Sequence, residues 1–208
     1  MAQTKIIPGY PALMIEGDKK SLVITDLHLG FENALSLNNV FLGKNKTVTE
    51  ITKEIELIID KTKPDSLILL GDVKSGINSI TKTEWETVPA FFENVTKLID
   101  TVLVPGNHDA NIEKLIPNEI SLASSKGIIV DDILLTHGHT MPSENFSQIN
   151  TIVMGHIHPV FFENISKLID TVLVPGNHDA NIEKLMPNSI TLASSKGIIV
   201  DDILLTHG

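Results

Sequence analysis

Five separate apolar runs in this chain stop at turns that carry nitrogen and oxygen side chains, and this repetition constrains the fold more than any other feature. Thr101-Val102-Leu103-Val104-Pro105 leads into Gly106-Asn107-His108-Asp109. Leu22-Val23-Ile24-Thr25 leads into Asp26-Leu27-His28, and Ser66-Leu67-Ile68-Leu69-Leu70 into Gly71-Asp72. Ile133-Leu134-Leu135-Thr136 ends in His137-Gly138-His139, and Ile152-Val153-Met154 in Gly155-His156-Ile157-His158. Short apolar runs bounded by turn residues read as buried strands. Open α/β sheets bind ligands in the crevice beyond their strand ends. Five strand ends with imidazole, carboxylate and amide groups therefore point to a metal site.

The segments between these runs supply the rest of an α/β pattern. Ala12 to Ile15 and Ser21 to Thr25 flank the turn Gly17-Asp18 and predict an opening hairpin. Leu29 to Lys46 reads as loop with some helix. Thr47-x-x-Glu50 has capping-box spacing, and Val48, Ile51, Ile55 and Ile58 follow at helical spacing, in a helix ending before Pro64. Asp65 to Leu70 is the next strand, Gly71 to Thr83 a loop, and Glu84 to Ile99 a helix kinked or restarted at Pro89. A short helix at 112–115 precedes three short strands at 119–123, 127–130 and 133–136. Pro142 to Asn150 reads as loop and Thr151 to Met154 as strand. Helix–strand alternation predicts βαβ units.

Composition narrows the chemistry. The chain has 208 residues, enough for one sizeable core. No apolar run reaches membrane-span length and the N-terminus lacks a basic-then-apolar signal, so a cytoplasmic protein is expected. There is no cysteine, so a metal must be held by imidazole, carboxylate and amide groups. All 16 basic side chains are lysine, so no guanidinium fork is available for phosphate. The net charge of −10 argues against broad binding to a nucleic-acid backbone, though metals can supply local positive charge.

All eight histidines lie in these motifs or their copies: His28, His108, His137, His139, His156, His158, His178 and His207. A single histidine is more often a surface or capping residue, but confinement to strand ends favours a cluster. Asp26 and His28 are two apart on a continuing strand and share a face. Gly71-Asp72 taken alone is an ordinary turn; its value is a second carboxylate, since two metals about 3.5–4 Å apart need a bridging anion. Gly106 to Asp109 also fits an Asx turn with Asp109 as a helix cap. His156 and His158 share a face, and His137 supplies one candidate ligand, with His139 behind it or a bystander.

The ordered set Asp-x-His, Gly-Asp, Gly-Asn-His-Asp, His-Gly-His and Gly-His-x-His resembles the calcineurin-like metallophosphoesterase family over about residues 5–160. Asp26-Leu27-His28-Leu29-Gly30 is further similar to its small prokaryotic and archaeal phosphoesterases, relatives of the double-strand-break-repair nucleases. The resemblance implies a four-layer α/β/β/α sandwich and two divalent metal ions: manganese, iron or zinc, with manganese the expected one. It implies one metal on Asp26, His28, Asp72 and His158, and a second on Asp72, Asn107, His137 and His156. His108 becomes the catalytic histidine beside the leaving group, and Asp109 its orienting partner. The implied substrate is a phosphodiester or phosphomonoester, a nucleotide or nucleic acid among the candidates.

The chain departs from the family at two places. The loop after Gly71-Asp72 runs Val73-Lys74-Ser75-Gly76, where many members carry a second aspartate or a histidine. Residues 159–208 repeat 89–138 at an offset of 70 with six differences in 50, in place of the further strands the family uses. This reads as a tandem duplication or a joining artefact, and the chain stops inside a motif at His207-Gly208 as if truncated. The expected organisation is a phosphoesterase domain over 1–160. The copy at 161–208 is an ill-fitting appendage, a swapped element of a homodimer, or a partly ordered tail. The rival to an enzyme is a non-catalytic metal-binding scaffold of the same fold.

Overall fold

Three parallel strands, each fully buried at its C-terminal end, form the centre of the fold. The computed structural model describes residues 2–31, 46–142 and 149–156, and the strands 171–173, 190–192, 198–200 and 203–205. The chain divides into two compact units, Met1–His156 and Ile157–Gly208. In the first unit β1 (Gln3–Ile6), β2 (Leu13–Glu16), β3 (Lys20–Ile24), β4 (Ser66–Leu70), β5 (Thr101–Val104) and β6 (Ser121–Leu122) form one six-stranded sheet in that order. The first three strands are antiparallel and β3 to β6 run parallel. β7 (Ile128–Val130), β8 (Ile133–Thr136) and β9 (Thr151–Met154) form a second sheet, with β8 and β9 parallel. The opening hairpin is thus a three-stranded meander, because β1 adds to its free edge.

Successive side chains along a strand face opposite ways, and both faces of the large sheet are apolar. Leu22, Ile24, Leu67, Leu69 and Leu103 pack with Ile55 and Ile58 of α1 (Lys46–Thr62) and with Val88, Phe91, Phe92 and Val95 of α2 (Lys82–Val95). Val23, Ile68, Leu70 and Val104 face the other way and pack with Ile133 and Leu135 of β8. Helices, six-stranded sheet and three-stranded sheet are the layers of the sandwich seen here; its second helical layer has no counterpart among the described residues. α2 runs unbroken through Pro89, where a kink or restart was expected. Proline forfeits one backbone bond there, and burial of the flanking Val88, Phe91 and Phe92 offsets that loss.

The second copy repeats the pairings of the first. β10 (Thr171–Leu173) pairs parallel with β11 (Ile190–Leu192), with Val172 opposite Thr191 as Val102 is opposite Ser121. β12 (Ile198–Val200) pairs with β13 (Ile203–Leu205) in the register of β7 and β8. The sequence of this segment therefore specifies its own strand register. How the copy packs as a whole, the expected loop at 32–45, part of that at 143–148, and the side chains of His158, His178 and His207 lie outside the described residues.

Candidate metal centre

Both sheets point their C-terminal strand ends at one place. Asp26 and His28 follow β3, Asp72 follows β4, and Asn107 and His108 follow β5; His137 follows β8 and His156 follows β9. The ends of the two sheets are stitched together directly. His137 donates from Nδ1 to the Leu70 carbonyl at 2.8 Å. Thr25 Oγ1 lies 2.6 Å from Asp26 Oδ2 and 2.9 Å from the Leu70 carbonyl, an acceptor in either direction for its one proton. Neighbouring loops are laced by backbone bonds: Asp26 N–H to the Gly71 carbonyl, His28 N–H to that of Asp72, and His156 N–H to that of His137.

Asp26, His28 and Asp72 all adopt left-handed backbone, with φ of 56°, 45° and 52°. Such conformations cost about 1–3 kcal/mol each outside glycine and persist where surrounding contacts fix them. Here the two bonds onto Asp26 and His28 do so. β3 ends at Ile24, so Asp26 and His28 do not share a face of a continuing strand as expected; their side chains still approach, with His28 Nε2 3.9 Å from Asp26 Oδ1. Gly106 allows a close approach to the central carboxylate: a Cβ there would stand 2.2 Å from Asp72 Oδ1 and 2.4 Å from the Asp72 backbone nitrogen.

Asp72 is the centre of the cluster and is 2% exposed. Its Oδ1 accepts the backbone N–H of His108 at 2.8 Å and lies 3.3 Å from His137 Nε2, while Oδ2 lies 3.9 Å from His108 Nε2. Burial alone pushes this carboxyl up. The hydrogen bonds from His137 and the His108 backbone, with the imidazole charges, outweigh burial and hold it at about 2. His137 is fully buried, which disfavours its charged form, yet the contacts with Asp72 and the Leu70 carbonyl raise its pKa above the ordinary histidine value. Its Nε2 also lies 3.2 Å from Asn107 Oδ1, and its ring stacks on His156 at 5.4 Å and 7°.

Two groups of three ligand atoms gather within 4.8 Å: Asp26, His137 and His156, and His28, Asp72 and His108. The structure thus brings together Asp26, His28, Asp72, Asn107, His108, His137 and His156. Their ligand atoms gather as Asp26 with His137 and His156, and as His108 with His28 and Asp72, while His158 of the implied set lies outside the described residues. The His28 and His108 rings meet edge to face at 5.0 Å. His139 packs edge-on to His137 and belongs to neither group. The donor set fits divalent ions: nitrogen and carboxylate oxygen converge, Asp72 is anionic, and a His137 ring pinned at Nδ1 presents Nε2.

Asp109 has another task than orienting His108. Its Oδ1 accepts from Lys74 N–H at 3.1 Å and its Oδ2 from Gly106 N–H at 2.8 Å, tying the loops after β4 and β5 together. Burial pushes its carboxyl above the ordinary value, against those two backbone donors. The orienting contact to His108 Nδ1 comes from the Ser75 carbonyl at 2.6 Å. Being a backbone atom, that acceptor leaves no mark in a sequence motif. Thr25 and Glu84 also escaped the motif reading, although Thr81-Lys82-Thr83-Glu84 has the spacing of a capping box.

No curated protein matches the chain. Among solved structures, the crystal structure of Pseudomonas putida nuclease MPE is similar, with a TM-score of 0.48 and 17% identity over 76% of this chain and 74% of that one. The family model for calcineurin-like phosphoesterases matches residues 19–160, from the start of β3 past the last strand-end motif, and the chain belongs to that family.

Proposed function

We propose that this chain hydrolyses a phosphate ester with water as the nucleophile, at a dinuclear metal centre formed by Asp26, His28, Asp72, Asn107, His137, His156 and His158, with manganese favoured over iron or zinc. When bound, two divalent ions ease the ionisation of water and neutralise charge on the phosphoryl oxygens, a task for which the chain has no arginine. Asp72 belongs to one ligand group and its Oδ1 stands 3.3 Å from His137 Nε2 of the other, so it is the carboxylate that both ions would share. His108 donates Nδ1–H to the Ser75 carbonyl and turns Nε2 toward the cluster; only as the doubly protonated imidazolium would it hand the Nε2 proton to the departing oxygen, leaving the neutral Nδ1–H ring.

The observation that carries this reading is the buried, anionic Asp72 carboxylate standing between His108 and His137 at the joint end of two sheets. The net charge of −10 and the missing guanidinium favour a compact phosphate ester over a long nucleic-acid backbone. The test is release of p-nitrophenol from bis(p-nitrophenyl) phosphate with added manganese. Activity abolished by chelation and by Asp72→Asn is expected. A folded, manganese-loaded chain with no turnover on this or an alkyl ester would instead make the cluster a scaffold.

A further inference from the structure

The peptide unit joining Ser75 to Gly76 is held at both ends by charged or chargeable groups. Its carbonyl accepts from His108 Nδ1 at 2.6 Å, and its N–H donates to Glu84 Oε1 at 2.5 Å. Glu84 is fully buried at the start of α2, and its other oxygen accepts the Thr81 N–H at 2.7 Å. A trans peptide is rigid, with C=O and N–H pointing opposite ways. A carboxylate fixed on the N–H side therefore sets the direction of the carbonyl on the imidazole side. It also polarises the amide, which strengthens the carbonyl as an acceptor. Gly76 allows the approach, since a Cβ there would lie 2.9 Å from the Ser79 carbonyl and 3.1 Å from both Glu84 oxygens.

The same short strap is anchored from two more directions. Lys74, fully buried, donates from Nζ to the Gly76 carbonyl and from its backbone to Asp109 Oδ1, while Ser75 N–H donates to the Leu29 carbonyl. These bonds fix the strap on several sides while the Ser75 carbonyl faces the imidazole of His108.

We propose that Glu84 is a positioning residue for His108, acting as its carboxylate partner through the intervening Ser75–Gly76 peptide and keeping the proton on Nδ1 so that Nε2 faces the reacting atoms. The kinetic part rests on the phosphoesterase reading above; the tautomer part does not.

Two measurements on the full chain test it. In the metal-free protein, 15N-resolved NMR of neutral His108 is expected to show the Nδ1–H tautomer, with Glu84→Gln shifting population toward Nε2–H. A wild-type His108 protonated at Nε2 overturns the proposal, whether or not the variant folds. In the manganese-loaded protein, Glu84→Gln is expected to lower kcat on a diester with an alkyl leaving group on the order of 10-fold, below the roughly 10²–10⁴ of a lost general acid, with KM unchanged. On bis(p-nitrophenyl) phosphate, whose leaving group needs no proton, the loss is expected to be under about twofold. Thr81→Ala, which removes the other half of the capping box but leaves the Gly76 contact, is expected to change neither rate. Equal losses on both esters, or the same losses in Thr81→Ala, would make Glu84 a structural cap and nothing more. An inactive wild type would fail the phosphoesterase reading alone and leave the tautomer result to decide.

Discussion

His137 Nε2 stands 3.3 Å from Asp72 Oδ1 with both side chains shut off from solvent, so each group's charge is a condition of the other's. Asp72 is held at about 2, below its ordinary value. A depressed carboxylate contributes stability that is present above its unfolded pKa of about 4 and lost as pH falls through the folded value. His137 has the opposite sign: its raised pKa contributes below about 6.5, and that contribution is lost as pH rises through its folded value. Metal-free protein should gain most from the pair between about pH 4 and about pH 6.5. Urea unfolding is expected to show Asp72→Asn less stable than wild type by about 2 kcal/mol near pH 6, with the gap closing near pH 2. A gap independent of pH would mean that the pair carries no linked charge.

Metal binding competes with that proton. Imidazole must be neutral to ligate, and the raised pKa of His137 means that a divalent ion has to displace a proton from it. Manganese at about 100 times its Kd should add about 2.7 kcal/mol of stability, a rise in Tm of roughly 5–10 °C for a chain of this size. The rise should be larger near pH 8 than near pH 6, and Asp72→Asn should lose most of it. Differential scanning fluorimetry across pH checks both, and an equal rise at the two pH values would remove His137 from the ligand set.

Gly106 offers a test of packing around the central carboxylate. A methyl group there would meet both Asp72 Oδ1 and the Asp72 backbone nitrogen, and the backbone cannot swing aside as a long side chain can. Overpacking of this kind costs about 1–3 kcal/mol. Gly106→Ala is expected to lower stability by that amount and to weaken manganese binding as well, because relief requires moving Asp72. Calorimetric titration separates the two effects. Unchanged affinity in a destabilised variant would place the relief elsewhere than at Asp72.

The sequence exposed the side chains that gather at the strand ends and concealed what holds them there. Asp26, His28, Asp72, Asn107, His137 and His156 were legible because apolar runs mark strands and parallel strands share an end. The alternation of Leu67, Leu69 against Ile68, Leu70 likewise announces a sheet covered on both faces. β1 was not legible, since Gln3 to Ile6 is short, mostly exposed and follows no clear turn. The left-handed backbone at Asp26, His28 and Asp72 is accompanied by hydrogen bonds between loops distant in sequence, which no local motif announces. The role given to Asp109 illustrates the same limit: adjacency to His108 suggested a partner, whereas the fold directs its carboxylate to Lys74 and Gly106.

The second copy raises the question of which histidine serves the centre. Residues 159–208 reproduce 89–138, including Asn177, His178 and Asp179, and reproduce its local strand pairings. In the first copy, His108 gives its backbone N–H to Asp72 and its Nδ1 to Ser75, contacts that depend on β4 lying beside β5. A segment competing for that place would have to displace β5 from between β4 and β6. His108→Ala is therefore expected to lower kcat on an alkyl-leaving diester by about 10²–10⁴, with a much smaller effect on a p-nitrophenyl ester. His178→Ala should leave both rates within about twofold of wild type. Side-by-side kinetics of the two variants decide the matter. Loss confined to His178→Ala would mean that the second copy has replaced the first in the sheet, and the site would have to be rebuilt around Asn177 and His178.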